Sequence, residues 1–451
     1  MKKFGISQSV KRVEYPRLLK GEGKYIDDIS PLNSATMVFF RSPVAHAKIS
    51  SINLSSAKKI KGVLKIYTAK DLHGKLINEM DYSVIKDEDG NSTPKTVRPM
   101  LAEKKVNFVG EAIVAIVAVN KKIGLDAIEA IDIDFEEYPV NVDFNKNLSL
   151  IHENTEDNIG VNWSFGDKEK IENIFSNAKH KVEIDLKDNR VLANPIETRG
   201  CFAEYKNNEL HLCYNGQGVW GTKRALAKKL IFSPKEIRVS HPDVGGGFGM
   251  KSFDYPELFL VSLASYDLKK PIKWQSERQE GFLSDNDGRD LKSTAEIAFD
   301  ENYLIKGLRI KTKFNLGAYC SGYAQFIQTE LALKVITGAY DIQNVFFSVK
   351  GIYTNTSPVD AYRGAGRPEA IYVLERLIDY SAKVLKIDHI NLRKKNFIKK
   401  EQMPYLTQSG ELYDVGDFEK ILNTGVLKAD LKGFKIRKEK SKENGKLRGL
   451  G

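Results

Sequence analysis

Four glycines within five positions make VGGGFGMKS, Val244 to Ser252, the segment that most constrains how this chain can fold. The preceding stretch KEIRVSHPDV predicts a strand, and the following YPELFLVSLASYDL predicts an amphipathic helix. Glycine adopts positive φ at little steric cost and allows close backbone approach. The segment therefore predicts either a site for a phosphate or oxo-anion, or a tight turn packed against the chain's own backbone.

Two familiar phosphate-binding patterns do not fit this segment. The P-loop pattern and the dinucleotide pattern G-x-G-x-x-G would both place their last glycine at Met250. The glycines therefore indicate close approach without identifying the group that approaches.

Length and composition indicate a multidomain globular protein. A chain of 451 residues is expected to form two or three domains, and 41% hydrophobic with 29% charged residues is ordinary for a soluble protein. No apolar run approaches the roughly 20 residues that span a bilayer. The N-terminal MKKFGISQSVKRVEYP lacks the apolar core of a signal peptide, so we predict a cytoplasmic protein without an integral membrane segment.

The charged and metal-binding residues are dispersed along the sequence. The net charge is +11, from 70 Lys plus Arg against 59 Asp plus Glu, but no basic run is interleaved with aromatics, which favours a lysine-rich solvated surface over nucleic-acid binding. Cys201, Cys213 and Cys320 cannot supply the four thiolates of a typical iron–sulfur cluster. Seven scattered histidines do not support a protein-ligated zinc site.

The order of predicted elements suggests several regions. Residues 1–20 form an N-terminal arm, and 21–140 form a mixed α/β region. The asparagine-rich segment 141–160 is a predicted linker. From 161 to 400, strands alternate with helices as in an α+β domain with mixed sheets. Residues 401–451 open a further segment, in which a charged helical tract is followed by GKLRGLG as the start of a new strand; we expect the first part of something larger.

Four segments of the second region each combine small or glycine-rich turns with a planar or bidentate polar group. Taken alone, an amide could cap a helix and a guanidinium could form a surface ion pair. Taken together, amide and guanidinium donors beside glycine turns suit a large anionic ligand with many oxygens. The segments are ANPIETRGCF with Asn194, Glu197 and Arg199, YNGQGVWGTKR with Gln217, the glycine-rich turn, and PVDAYRGAGRPEA with Arg363 and Arg367.

These segments, with KWQSERQEGFLSDNDGRD and MPYLTQSGELYDVGDF, resemble the molybdenum-binding large subunit of the xanthine dehydrogenase / aldehyde oxidase / aerobic carbon monoxide dehydrogenase family, the molybdenum hydroxylases. The resemblance covers nearly the whole chain. It implies an α+β fold with an N-terminal α/β-hammerhead domain over 21–140 and a first molybdenum-cofactor-binding domain over 161–400. Residues 401–451 would begin a second such domain, truncated at its C-terminal half.

The resemblance also implies a cofactor and partners. The cofactor is molybdenum–molybdopterin, usually in the cytosine dinucleotide form, with the metal held by the pterin dithiolene and not by protein ligands. The implied reaction is oxidative hydroxylation of an aldehyde or an N-heteroaromatic carbon with water as the oxygen source. Electrons would pass to a small 2Fe-2S subunit and an FAD-binding medium subunit, in a dimer of heterotrimers.

By position, the resemblance assigns roles to three groups of residues. Gln217 and Arg363 are the implied catalytic residues, and the general-base glutamate is expected in the later half of the family's sequence. We therefore expect this chain alone to be inactive. The implied cofactor-binding residues, whose glycines would keep Cβ atoms away from the cofactor, are Gln217, Gly218, Gly246, Gly247, Phe248, Gly249, Tyr362, Arg363 and Gly364.

Departures from the family pattern narrow the substrate. Carbon monoxide dehydrogenase proper carries a copper-bridging cysteine where this chain has Gly364, which favours an aldehyde or heterocycle over carbon monoxide. Two purine-contacting positions of xanthine dehydrogenases correspond to Phe346 and Ser252, which disfavours a purine. The alternatives are carbon monoxide dehydrogenase proper, a non-catalytic truncated remnant and, on charge alone, a nucleic-acid-binding protein.

Overall fold

A computed structural model of the chain describes residues 9–87, 89–146, 149–230 and 232–451. The first eight residues of the predicted arm lie outside the described residues. The N-terminal elements are α1 (Tyr15–Leu19), β1 (Ala35–Arg41), β2 (Ala47–Asn53), β3 (Val63–Tyr67), β4 (Lys105–Val106), β5 (Ala112–Ala118), α2 (Lys121–Glu129) and β6 (Asp132–Glu137).

The central elements alternate between strand and helix, as the sequence predicts. In chain order they are β7 (Ile159–Phe165), α3 (Lys168–Asn177), β8 (His180–Asp188), β9 (Gly200–Lys206), β10 (Glu209–Tyr214), α4 (Trp220–Leu230), β11 (Ile237–Ser240), α5 (Pro256–Leu268), β12 (Ile272–Gln275), α6 (Arg278–Ser284), β13 (Leu291–Phe299), β14 (Ile305–Gly317), α7 (Ala324–Phe326), β15 (Val345–Tyr353), α8 (Arg367–Leu385) and α9 (His389–Asn396).

The C-terminal elements are short. They are β16 (Tyr405–Leu406), β17 (Leu412–Tyr413), α10 (Phe418–Lys428) and α11 (Phe434–Glu443). The predicted strand in GKLRGLG is wrong, because residues 446–451 have no regular structure and pair with no strand.

Two mixed sheets organise the fold and confirm the predicted α+β class. The larger has the order β11-β10-β9-β12-β1-β5-β3, and the smaller has the order β7-β15-β14-β13-β8. Parallel pairing of β1 with β12, at Ala35 and Ile272, joins the N-terminal and central regions in one sheet. The smaller sheet packs one face on α8, around Leu377 and Ile378.

One expectation about exposure is wrong. The helix α5 is not amphipathic, because every residue from Pro256 to Ser265 is buried between the larger sheet and its surroundings. The predicted linker 141–160 is partly buried where the structure describes it, since Asn141 and Ile151 are 0% and 1% exposed but Val142 is 61% exposed. The pattern of polar and apolar residues along one segment does not predict burial that results from packing against other segments.

A buried charge cluster ties α5 to the larger sheet. The Glu257 carboxylate, 1% exposed, accepts a hydrogen bond from Arg41 Nη2 at 2.6 Å and one from Arg199 Nη1 at 2.9 Å. Arg199 Nε also donates to Asp285 Oδ1 at 2.6 Å. Burial by itself would raise the pKa of Glu257, but Arg199 and Arg41 outweigh it and hold that pKa well below its usual range.

Glu257→Gln is expected to lower the free energy of unfolding by about 3–5 kcal/mol, because it leaves buried guanidinium groups without their anion. Urea denaturation at neutral pH measures the change. Glu136→Gln is the matched control, since Glu136 forms an exposed ion pair with Lys48 at 2.9 Å, and should cost less than about 1 kcal/mol. Equal losses in the two variants would contradict the account of this cluster.

Candidate functional site

The glycine-rich segment forms a loop, Gly245–Gly249, which we call the glycine loop. It follows β11 and leads into a short 3₁₀ turn, Met250–Ser252, before α5 begins at Pro256. Phe248 and Gly249 have φ of +53° and +100°. The backbone therefore turns sharply at this point, and the helix N-terminus does not directly follow the loop as the sequence suggested.

Gln217 is fastened to the glycine loop by its own side chain. The Gly249 N–H donates to Gln217 Oε1 at 3.0 Å, and the Gln217 N–H donates to the Lys251 carbonyl at 3.1 Å. A Cβ on Gly247 would lie 2.3 Å from Gln217 Oε1. The Gln217 amide oxygen therefore accepts from the glycine loop and not from the first turn of α4. This argues against the alternative that Gln217 simply caps a helix.

The predicted arginine segment lies on the other side of the same loop. The Arg363 N–H donates to the Phe248 carbonyl at 2.8 Å, and the Arg363 guanidinium carbon is 5.9 Å from the Phe248 ring centroid. A Cβ on Gly249 would come within 2.7 Å of the Ala361 carbonyl oxygen. The structure therefore brings Gln217, the glycine loop and Arg363 together.

Arg289 supports the arginine segment from within and was missed by sequence reasoning. Its Nη1 donates to the Tyr362 carbonyl at 3.1 Å, and its Nη2 donates to the Arg363 carbonyl at 3.0 Å. Glu369 accepts from Arg289 Nη1 at 2.8 Å. The motif SDNDGRD contains Arg289, but nothing local in that motif indicates which backbone it will contact.

The segment ANPIETRGCF contacts the glycine loop through Glu197. Glu197 Oε2 accepts from the Gly245 N–H at 2.8 Å and from Lys251 Nζ at 3.2 Å. Burial lowers the pKa of Lys251, and Glu197 opposes that effect. Arg199 is 5% exposed and committed to the charge cluster.

The outer side chains of these segments also have protein partners. The Asn194 side chain accepts from Arg278, and Arg367 donates to the Ala365 carbonyl. These contacts, with those of Glu197 and Arg199, correct the expectation that all four segments present polar groups to a ligand.

The glycines of the loop are accounted for by contacts within the chain. A Cβ on Gly245 would lie 2.5 Å from Glu197 Cβ, as the Cβ atoms on Gly247 and Gly249 would meet Gln217 and Ala361. These contacts are the ones expected if the glycines form a tight turn packed against the chain itself, which is the second of the two predictions for this segment. Around Gly218, in contrast, nothing lies within 4 Å of an added Cβ. That the same glycines border a cofactor stays a prediction.

The site presents hydrogen-bond donors that the protein does not use. Among the described residues, none accepts a hydrogen bond from Gln217 Nε2 or from the N–H groups of Gly246, Gly247 and Phe248. Arg363 is exposed and forms no ion pair with any described carboxylate. A surface of free donors fits an anionic, oxygen-rich group such as a pyranopterin phosphate.

The two predicted purine positions have different locations. Ser252 borders a cavity of about 310 Å³ that Gly218 also lines, beside the Gln217 segment. Phe346 is buried with Ile171 and Phe175 under α3, at the far end of β15. Phe346 therefore packs against α3 and does not line the cavity beside the Gln217 segment, and the comparison of both positions with purine-contacting residues stays a prediction.

Two features of the described residues concern metal ions and membranes. In the described ranges, no group of three or more His, Cys, Asp or Glu side chains is arranged to hold a metal ion. Within the same ranges, no helix is long and apolar enough to cross a bilayer.

Comparisons with known proteins identify the family of this chain. The family described as the molybdopterin cofactor-binding domain matches residues 151–397, and the a/b hammerhead domain of aldehyde oxidase and xanthine dehydrogenase matches 20–139. The large subunit of nicotine 6-hydroxylase from Paenarthrobacter nicotinovorans is 32% identical over 99% of this chain and 54% of its own length. The carbon monoxide dehydrogenase large chain of Hydrogenophaga pseudoflava is 31% identical over 91% and 52%.

A solved structure extends the likeness to three dimensions. Quinoline 2-oxidoreductase from Pseudomonas putida 86 superposes with a TM-score of 0.90 and 28% identity, covering 98% of this chain and 56% of that one. The fold and the sequence matches together define a molybdenum-cofactor-binding protein with a hammerhead domain. The chain belongs to the molybdenum hydroxylase family, as a large subunit.

Length separates the relatives into two groups. The chain spans about half the length of the nicotine and carbon monoxide enzymes' large subunits. In contrast, it covers 87% of the large molybdopterin subunit of nicotinate dehydrogenase from Eubacterium barkeri, at 26% identity over 85% of this chain.

Gly249→Ala is expected to lower the free energy of unfolding by about 2 kcal/mol or more, because alanine is strained at φ +100° and its Cβ would strike the Ala361 carbonyl. Thermal or urea denaturation measures the change. Gly221→Ala is the control, since nothing lies within 4 Å of an added Cβ in that helical position. The control should be neutral or stabilising by up to about 1 kcal/mol.

Proposed function

We propose that this chain is the molybdopterin-binding part of a hydroxylase that oxidises an aldehyde or an N-heteroaromatic carbon, with water as the oxygen source. The observation that carries the proposal is the junction of Gln217, the glycine loop and Arg363 through hydrogen bonds of 3.0 and 2.8 Å. At that junction the exposed residues Gln217 and Arg363 carry donor groups without a described protein partner. The domain division, with a hammerhead over 21–140 and a cofactor domain over 161–400, is part of the proposal.

The proposed cofactor is molybdenum–molybdopterin, in the cytosine dinucleotide form. It would be held by the free N–H groups of Gly246, Gly247 and Phe248, by Gln217 and by the segment Tyr362–Gly364. When bound, it would supply the Lewis acid and the two-electron acceptor that hydroxylation requires.

The protein's own contribution is orientation. Because Gln217 Oε1 accepts from the Gly249 N–H, the orientation of the amide is fixed and its Nε2 would be a donor to the cofactor. Arg289 holds the carbonyls of Tyr362 and Arg363, so that the Arg363 guanidinium projects from a clamped backbone. Donors fixed in advance stabilise developing negative charge without reorganising during the reaction.

The position of Gly364 supports an organic substrate. A copper–sulfur bridge needs a cysteine beside Arg363, and Cys320 is instead 3% exposed with its Sγ 3.1 Å from the Tyr353 hydroxyl and 3.2 Å from Gln325 Nε2. Cys201 and Cys213 are also buried. Nicotine and quinoline, in the names of two relatives, are N-heteroaromatic compounds. Carbon monoxide dehydrogenase proper is the second candidate, because its large chain is a relative of similar identity.

We propose that the working enzyme is a cytoplasmic complex. Electrons would leave through a small 2Fe-2S subunit and an FAD-binding medium subunit, in a dimer of heterotrimers. The general-base glutamate and the other half of the cofactor site would come from a further segment, on this polypeptide or on a second one.

In the complex purified from its source, Gln217→Ala and Arg363→Ala should each lower kcat for aldehyde or heterocycle oxidation by about 10²-fold, the loss typical of removing one fixed donor. Dye-coupled oxidation measures kcat, and mass spectrometry of metals measures molybdenum and copper per complex. Arg376→Ala is the matched control, since Arg376 is exposed on α8 away from the site.

The outcomes separate the candidate functions. Molybdenum without copper, with activity on an aldehyde or a heterocycle, supports the proposal. Copper together with carbon monoxide oxidation would establish the second candidate, and a complex without molybdenum or activity would establish a non-catalytic remnant.

A further inference from the structure

The smaller sheet has an outer face that is only half covered. Its inner face packs against α8, while α3 covers one end of the outer face around Phe346 and Arg309. At the other end, the lysines that the described parts of β8, β13, β14 and β15 contribute to the outer face are exposed. This end carries side chains from all five strands.

A row of four lysines crosses this end. The register places Lys187 opposite Lys292, Lys292 opposite Lys313, and Lys313 opposite Lys350. We call these four residues the lysine row. All four are exposed, and neighbouring strands lie about 4.8 Å apart. Like charges directly opposite each other destabilise a sheet, so the lysine row lowers the stability of the isolated chain.

The surroundings offset the charge of the row only in part, through the attraction between Asp143 and Lys292. Lys311, in the adjoining row, adds a fifth exposed positive charge. The acids nearby are Asp185, which accepts from Thr294 Oγ1 at 2.6 Å, and Asp143, which is hydrogen-bonded to Asn145. In the part of the chain that the structure describes, none of the five lysines forms an ion pair.

We infer that the lysine row is a docking surface for an acidic helix of a partner protein. A groove of about 680 Å³ runs along the row. On a helix, carboxylates at positions i, i+4 and i+7 are about 5–6 Å apart, which matches the spacing of the strands. An acidic face with this spacing would neutralise the lysine row and remove the repulsion between its side chains.

The composition of the face favours protein over nucleic acid. Surfaces for single-stranded nucleic acid combine basic groups with aromatic rings on which bases stack. None of the ten positions in the two rows is aromatic. The ten are Lys187, Lys292, Lys313, Lys350, Asn162, Asp185, Thr294, Lys311, Ser348 and Ser164. The inference does not rest on the molybdenum chemistry.

The test uses a fluorescent helical peptide with four glutamates aligned on one face, an isomer with the same residues scattered, and a single-stranded DNA of equal charge. Fluorescence anisotropy at low salt measures Kd for the intact protein. The aligned peptide should bind at least about fivefold more tightly than the isomer and the DNA, and added salt should weaken it.

The variant K292Q/K313Q removes the centre of the row and should weaken the aligned peptide at least about fivefold. It should also raise Tm, because repulsion is relieved. The control K70Q/K235Q removes two exposed lysines elsewhere, with the same change in net charge, and should change neither. Equal affinities for both peptides, tighter binding of the DNA, or equal effects of the two variants would overturn the inference.

Discussion

The glycine loop is held from both sides by backbone hydrogen bonds, and the arrangement of the site depends on this. The Gly249 N–H is bound to the Gln217 side chain, and the Phe248 carbonyl is bound to the Arg363 N–H. Each bond joins segments that are remote in sequence. The N–H groups of Gly246, Gly247 and Phe248 form no hydrogen bond with a described residue, and the side chains of Gln217 and Arg363 beside them are exposed.

Buried and partly buried charged residues support the contacts between Gln217, the glycine loop and Arg363. Glu197, directly before the Thr198–Arg199 pair, receives the Gly245 N–H and the Lys251 ammonium, while Arg199 joins Glu257 inside the fold. The segment from Glu197 to Arg199 therefore contacts both the glycine loop and the buried charge cluster. On the opposite side, Arg289 links the arginine segment to Glu369 on α8. Rigid support of this kind is what a binding surface of oriented donors needs.

Local patterns predicted most elements, and tertiary register decided what they do. The strand CFAEYKN and the helix EAIYVLERLIDYSAKVL agree with β9 and α8. The burial of α5, the ion pairs of Arg199 and the role of Arg289 were not predictable, because each depends on contacts between distant segments. The lysines looked scattered in the sequence, and only the pairing of β8, β13, β14 and β15 aligns four of them.

The position of molybdenum in the purified complex tests the central claim most directly. Anomalous diffraction at the molybdenum edge would locate the metal independently of activity. The account predicts a single peak over the surface between the Gln217 amide and the Arg363 guanidinium, with cofactor density against the N–H groups of the glycine loop. A molybdenum peak elsewhere on the chain, with these donors facing only solvent, would contradict it.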